Sequence, residues 1–160
     1  MSKKILITGG AGFVGHHFID HILKDTDWQI VVLDCLNYAG NMNRITDSSA
    51  FDHNRVKFVW HDLKAPISNT VCKLIGDIDY CIHFAAESHV DRSLEDSIPF
   101  VMSNVVGTAN LLEYFKKNQP KCKIFIFSTD EVNKELPIMM GFRKVSPMYR
   151  VVKSAITFIY

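Results

Sequence analysis

Eleven residues, Ile5 to Gly15 (Ile-Leu-Ile-Thr-Gly-Gly-Ala-Gly-Phe-Val-Gly), restrict what this chain can fold into more than any other stretch. A β-branched run ends at Thr8, four small residues follow, and an apolar-periodic segment begins at Phe13. This pattern reads as strand, tight turn and helix. Gly10, Gly12 and Gly15 satisfy the spacing G-x-G-x-x-G, with Gly9 just before them. Each glycine has a physical use in such a turn: one permits a sharp reversal, one lets the backbone approach a phosphate, and one lets helix and strand pack closely. The helix start then offers unpaired N–H groups and a positive dipole end to a pyrophosphate.

Glycine-rich turns are common, and the context of this one makes it specific. Val31-Val32-Leu33-Asp34 is a second apolar run ending in a carboxylate, nineteen residues past Gly15. A dinucleotide-binding fold places there the acid that takes the ribose hydroxyls of adenosine. An acid at this position repels a 2′-phosphate, so NAD is expected rather than NADP.

A chain of 160 residues builds one good core, and a single domain over 1–160 is expected. With 18 basic and 17 acidic residues no net field favours nucleic acid or an anionic membrane surface. Met1-Ser2-Lys3-Lys4 leads straight into a strand without the pattern of a signal peptide, and no apolar run is long enough to span a bilayer. A soluble, cytoplasmic protein is the expectation. Cys35, Cys72, Cys81 and Cys122 lie far apart, with Cys81 and Cys122 in predicted strands, and read as reduced thiols. His16, His17 and His21 cluster on the first helix, but they lack an intervening glutamate or third ligand and read as a solvated face, not a metal site.

In chain order the pattern predicts a helix over about 13–24, a strand over 29–34, a polar loop at Asn37-Tyr38-Ala39-Gly40-Asn41 that wraps the adenosine end of a ligand, and a strand over 56–60. A short helix over 67–75, a strand over 79–84 and a strand over 123–127 follow. Between the last two, Ser97 and Pro99 read as the cap and first turn of a long helix to about Lys117, with Val101, Val105, Ala109, Leu112 and Phe115 as its apolar stripe. Alternating strands and helices imply a Rossmann-like, doubly wound parallel α/β sheet in the order 3-2-1-4-5. The ligand crevice then falls between strands one and four, where the glycine loop, Ala85-Ala86 and Ser128-Thr129-Asp130 converge.

Several segments resemble one family, the extended short-chain dehydrogenase/reductases, and within it the dTDP-glucose 4,6-dehydratases. They are the stretch 7–15, Asn37 to Asn41, His83-Phe84-Ala85-Ala86-Glu87-Ser88-His89-Val90-Asp91-Arg92-Ser93, Asn104-Val105-Val106-Gly107-Thr108, and Ser128-Thr129-Asp130-Glu131-Val132. The resemblance implies a bound NAD that takes hydride from sugar C4, loss of water across C5 and C6, and hydride return at C6. It assigns Tyr149 as base for the C4 hydroxyl, helped by Lys153, and Thr129 as hydrogen-bond partner of that hydroxyl. Glu131 would abstract the C5 proton and Asp130 would protonate the departing C6 hydroxyl; repulsion between adjacent carboxylates raises one pKa and suits that division. Cofactor contacts carry over to Gly9, Gly12, Phe13, Val14, Gly15, Asp34, Asp62, Leu63, Ala85, Ala86, Ser88 and Lys153. Asn104 is expected as a buried polar contact without a catalytic part. A nucleotide-sugar, dTDP-glucose, is the implied substrate, and a homodimer through the helix around 99–117 the implied assembly.

The resemblance runs closely from Lys4 to Val132 and then fades: Asn133-Lys134 replaces the family's Tyr-Gly, and the Tyr149 to Lys153 spacing arrives early. The sequence stops at Tyr160, before the family's last sheet strands and C-terminal nucleotide-sugar domain. Two functional expectations follow. One is a dehydratase of this type, with little turnover from this chain alone; the other is a truncated, non-catalytic dinucleotide-binding module.

Overall fold

The computed structural model describes residues 2–127. The expectations placed on Thr129, Asp130, Glu131, Tyr149 and Lys153 lie outside the described residues.

The first half alternates as the sequence predicts: strand β1 (Lys4–Thr8), helix α1 (Phe13–Asp25), β2 (Gln29–Asp34), a one-turn α2 (Asn43–Thr46) and β3 (Val56–Trp60). Helix α3 (Asn69–Ile75) and β4 (Tyr80–His83) follow, then α4 (Val90–Glu95), α5 (Ile98–Phe100), a π-helical segment at Val101–Val106, α6 (Gly107–Asn118) and β5 (Lys123–Ile126). The five strands pair in parallel in the order β3-β2-β1-β4-β5.

β1 and β2 are near-continuous apolar runs because both their faces are covered. Alternate residues divide between two cores. Leu6, Val31, Leu33 and Cys81 face Ile75 of α3 and Leu111, Tyr114 and Phe115 of α6. Ile5, Ile7, Ile30 and Val32 face Ile19, Ile22 and Leu23 of α1. Burial raises the Cys81 thiol well above its ordinary pKa and pushes Cys122 up to about 11, so both stay protonated at neutral pH. Cys122 lies one residue before β5, not inside it.

Local chemistry sets the element ends. α3 begins at Asn69, two residues later than the pattern suggests, because Ser68 Oγ accepts from the Val71 N–H at 3.3 Å. The C-terminus of α1 is capped from a distance: Arg55 donates to the carbonyls of Leu23, Thr26 and Trp28 at 2.6–3.2 Å, a cation on the negative dipole end.

The cap and inner face of the predicted long helix are the main correction. It runs without a break over 98–118 but passes through a π-helical segment between α5 and α6, and Ser97 makes no side-chain cap; instead Asp96 Oδ1 accepts from the Ile98 N–H at 3.0 Å. Of the expected apolar stripe only Phe115 is buried in the core. Phe100, Asn104, Gly107, Thr108, Leu111 and Tyr114 are buried, whereas Val101, Val105, Ala109 and Leu112 are half-buried. Polar and small residues occupy the inner face because they make specific bonds there, and periodicity of hydrophobic residues does not register them. Among the described residues no helix is long and apolar enough to cross a membrane.

Candidate functional site

The parallel register brings Thr8 of β1 beside Leu33 of β2 on one side and His83 of β4 on the other, so the segments leaving the three strands start at one edge of the sheet. The left-handed turn of the glycine loop falls at Gly9 (φ 68°), ahead of the three-glycine spacing. Its N–H donates to Leu33 O at 3.1 Å, and its carbonyl accepts from Gly12 N at 3.1 Å. A Cβ on Gly9 would lie 2.7 Å from Ala85 N. Gly10 serves packing instead, since a Cβ there would meet Val32 Cγ1 at 2.7 Å, and one on Gly15 would strike the Gly9 carbonyl. A Cβ on Gly12 would meet only Gly9 O, at 3.2 Å. α1 starts with no side-chain cap and no acid in its first turn, so the N–H groups of its first turn have no partner within the helix. This is a donor end left open to an anion.

Asp34 closes the other flank. Asp34 is 9% exposed; its Oδ2 accepts from Ala11 N at 3.0 Å and Oδ1 from Leu36 N at 2.8 Å. Leu36 adopts φ 53°, a left-handed conformation unusual for its side chain, in the turn that aims its N–H at Asp34. Two acceptor positions are spent on the backbone, and a carboxylate has about four, so the rest can receive hydroxyl donors. Arg44 Nη1 donates to the carbonyls of Ala11 (3.3 Å) and Ala39 (2.7 Å), tying the glycine loop to the loop after β2.

The wall leaving β4 is held differently. Thr108 Oγ1 donates to Asn104 O at 2.6 Å, so the 3.0 Å contact between His83 Nε2 and Thr108 Oγ1 has the ring as donor. Nδ1 is then the acceptor of its 2.6 Å bond with Thr8 Oγ1, and Thr8 Oγ1 in turn accepts from Ala85 N at 3.3 Å. His83 is neutral, since burial pushes its pKa down from 6.5 to about 4. The buried Asn104 amide grips the backbone of Glu87 on both sides, from Glu87 N at 2.8 Å and to Glu87 O at 2.9 Å. The buried polar role expected of Asn104 is therefore that of a brace for the loop after β4.

Between these flanks lies an open cleft. Gly9, Gly12, Asp34, Asp62, Leu63, Ala85, Ala86 and Ser88 line it; Phe13, Val14 and Gly15 form the first turn of α1 beside it, with Phe13 and Val14 exposed and Gly15 buried. The loop after β2 contributes Asn37, Tyr38, Ala39 and Gly40. Asp62 and Leu63 are positioned from α6, where Asn110 Nδ2 donates to Leu63 O at 2.8 Å and Gly107 lets the helix approach Leu63. Sequence reasoning missed Cys35, His61, Lys64 and Ser103 in the lining. His61 and Lys64 flank a pair it did single out, whereas Ser103 sits in the π segment with no sequence signal. On the far side of α1, His21 pairs with Asp25 Oδ2 at 2.7 Å.

A protein-family model described as GDP-mannose 4,6 dehydratase matches residues 6–134. The chain is 42% identical to the dTDP-glucose 4,6-dehydratase of Salmonella typhimurium over 142 residues, covering 84% of this chain and 39% of that protein. It is 39% identical over 132 residues to the low-salt glycan biosynthesis protein Agl12 of Haloferax volcanii, covering 82% and 41%. The crystal structure of dTDP-glucose 4,6-dehydratase from Bacillus anthracis in complex with NAD superposes with a TM-score of 0.68 at 32% identity, over 96% of this chain and 48% of that one. The chain thus spans about two-fifths of the length of these curated relatives. With a doubly wound sheet, a glycine turn and an acid at the end of β2 in agreement with the family match over most of its length, the chain belongs to the GDP-mannose 4,6 dehydratase family.

Proposed function

We propose that the chain forms the NAD-holding region of a nucleotide-sugar 4,6-dehydratase of the dTDP-glucose type. The observation that carries this reading is the pairing of an uncapped α1 N-terminus with a buried, backbone-fixed Asp34 carboxylate across one cleft. The first suits a pyrophosphate and the second a ribose with both hydroxyls free. In this reading Gly9, Gly12, Phe13, Val14 and Gly15 hold the pyrophosphate side, Asp34, Asp62 and Leu63 the adenosine side, and Ala85, Ala86 and Ser88 the nicotinamide side, with Lys153 on its ribose. Bound NAD would accept the hydride from sugar C4 and return it to C6. Thr129, Asp130, Glu131 and Tyr149 are the proposed proton-handling groups, from the family resemblance.

We further propose a cytoplasmic lyase, and, from the resemblance, two copies paired along the helix around 99–117. The half-buried Val101, Val105, Ala109 and Leu112, with Ile98 65% exposed, support that pairing. A second reading is a dinucleotide-binding module without turnover of its own, which the same uncapped α1 N-terminus and fixed Asp34 carboxylate support.

Calorimetry with NAD⁺ and NADP⁺ tests the cofactor assignment: NAD⁺ is expected to bind more tightly, and Asp34→Ala to erase the preference. Equal affinity for both in the unaltered chain removes it. Incubation with dTDP-glucose and NAD⁺ separates the two readings. A 4-keto-6-deoxy product that disappears in the Asp130→Asn, Glu131→Gln variant establishes the dehydratase, and NAD⁺ binding without product leaves the module.

A further inference from the structure

The segments that leave β2 and β4 touch each other although their strands do not. In the order β3-β2-β1-β4-β5, β1 stands between them. A contact between the loops after β2 and β4 therefore crosses the end of β1, where the glycine turn lies. The contact is made by side chains. Asn37 Nδ2 donates to Glu87 Oε1 at 2.5 Å, and the Arg92 guanidinium lies 4.3 Å from the Tyr38 ring centroid. Burial first and then the nearby Glu87 charge raise the Tyr38 pKa, with the Arg92 charge opposing them.

Both sides of this contact are anchored behind. Glu87 is braced through its backbone by the buried Asn104. The Asn37 carbonyl accepts from Gly40 N at 2.7 Å, and its side-chain oxygen from Tyr38 N at 2.8 Å. Asn37, Tyr38 and Glu87 line the cleft, whereas Arg92 does not. The bonds between the sides are solvent-facing and individually weak, so they can break without unfolding the braces that hold them.

We propose that Asn37, Tyr38, Glu87 and Arg92 form a clasp over the glycine turn, which must open for a dinucleotide to load or leave and closes over its pyrophosphate once it is bound. The inference rests on the reading of the cleft as an NAD site. It adds that exchange of the cofactor is gated by side chains from two loops that are not neighbours in the sheet. A closed clasp suits a cycle in which hydride is taken and returned and the cofactor has no need to leave.

The test follows exchange directly, without turnover. The full chain is loaded with NADH and mixed with excess NAD⁺, and the decay of bound-NADH fluorescence gives the release rate; rapid mixing with NADH gives the loading rate. Arg92→Ala, at a side chain outside the lining, is expected to raise both rates several-fold, and Asn37→Ala with Arg92→Ala to raise release by about tenfold, equivalent to about 1.4 kcal/mol of barrier. A contact that merely stabilises the bound state would raise release and leave loading unchanged, which overturns the gate. Unchanged rates in the double variant with intact binding also overturn it, while leaving the cofactor assignment standing. Absence of NADH binding by the unaltered chain overturns the cofactor reading and the clasp together.

Discussion

The two flanks of the cleft are built from different materials. On the β1–β2 side the backbone does most of the work: the glycine turn, the open N-terminus of α1, and a single carboxylate held by two N–H groups. On the β4 side the wall hangs from side chains, Thr8, His83, Thr108 and Asn104, contributed by β1, β4 and the helices of residues 98–118. The first flank tolerates almost no substitution where Cβ atoms are excluded, yet its requirements are local. The second is one buried hydrogen-bond chain, in which removing a member leaves its neighbours unsatisfied. A backbone-built site is rigid by sterics, and a relay-built site is rigid only while every proton is in place.

The strongest break in this contrast is at Gly9, where the flanks meet. Gly9→Ala would put a methyl 2.7–2.8 Å from Ala85 backbone atoms at φ 68°. A loss of about 3 kcal/mol or more in urea unfolding is expected. A variant as stable as the parent would show that the two flanks can separate.

Next comes His83, which distinguishes the relay from the backbone flank by its pH dependence. The unfolded histidine gains its proton as pH falls through 6.5, and the folded one not until about 4. Stability is therefore full above about pH 6.5 and is lost as pH drops toward 4, by about 3 kcal/mol from this group. His83→Leu is expected to lose about 2–4 kcal/mol at pH 7 and to lack that part of the acid slope. An unaltered slope in the variant would assign the acid sensitivity to other groups.

The smallest effect on folding is predicted at Gly12, three residues from Gly9. An added Cβ meets only Gly9 O at 3.2 Å and the backbone is extended (φ −77°, ψ 178°), so Gly12→Ala should change stability by about 1 kcal/mol or less. Its methyl would project where the proposed pyrophosphate docks, and calorimetry should show NAD⁺ binding about tenfold weaker or worse. Weakened folding with unchanged binding would reverse the roles given to Gly9 and Gly12.

Legibility followed the same division. The glycine spacing, the β-branched runs and Asp34 are short-range signals, and from them the strand order, α1 and one flank of the cleft were readable in advance. The helical face over 98–118 was not. Counting apolar residues selected Val101, Val105, Ala109, Leu112 and Phe115, while the core took Phe100, Asn104, Thr108, Leu111 and, of that stripe, Phe115 alone. Nor could the tight-turn residue be told from the motif, since Gly9 and Gly10 are equivalent in sequence until Ala85 is packed against one and Val32 against the other.

By itself, then, the sequence determined a parallel α/β sheet with an anion-ready turn and an acid beyond it, because strand periodicity, glycine freedom and a charge at a strand end are properties of short segments. Tertiary structure decided which polar atoms share protons: Thr8, His83, Thr108 and Asn104 span about a hundred residues of chain. Only the register of β1 against β4, and the helix laid over them, brings them within 3 Å of one another and allows burial to keep the histidine neutral.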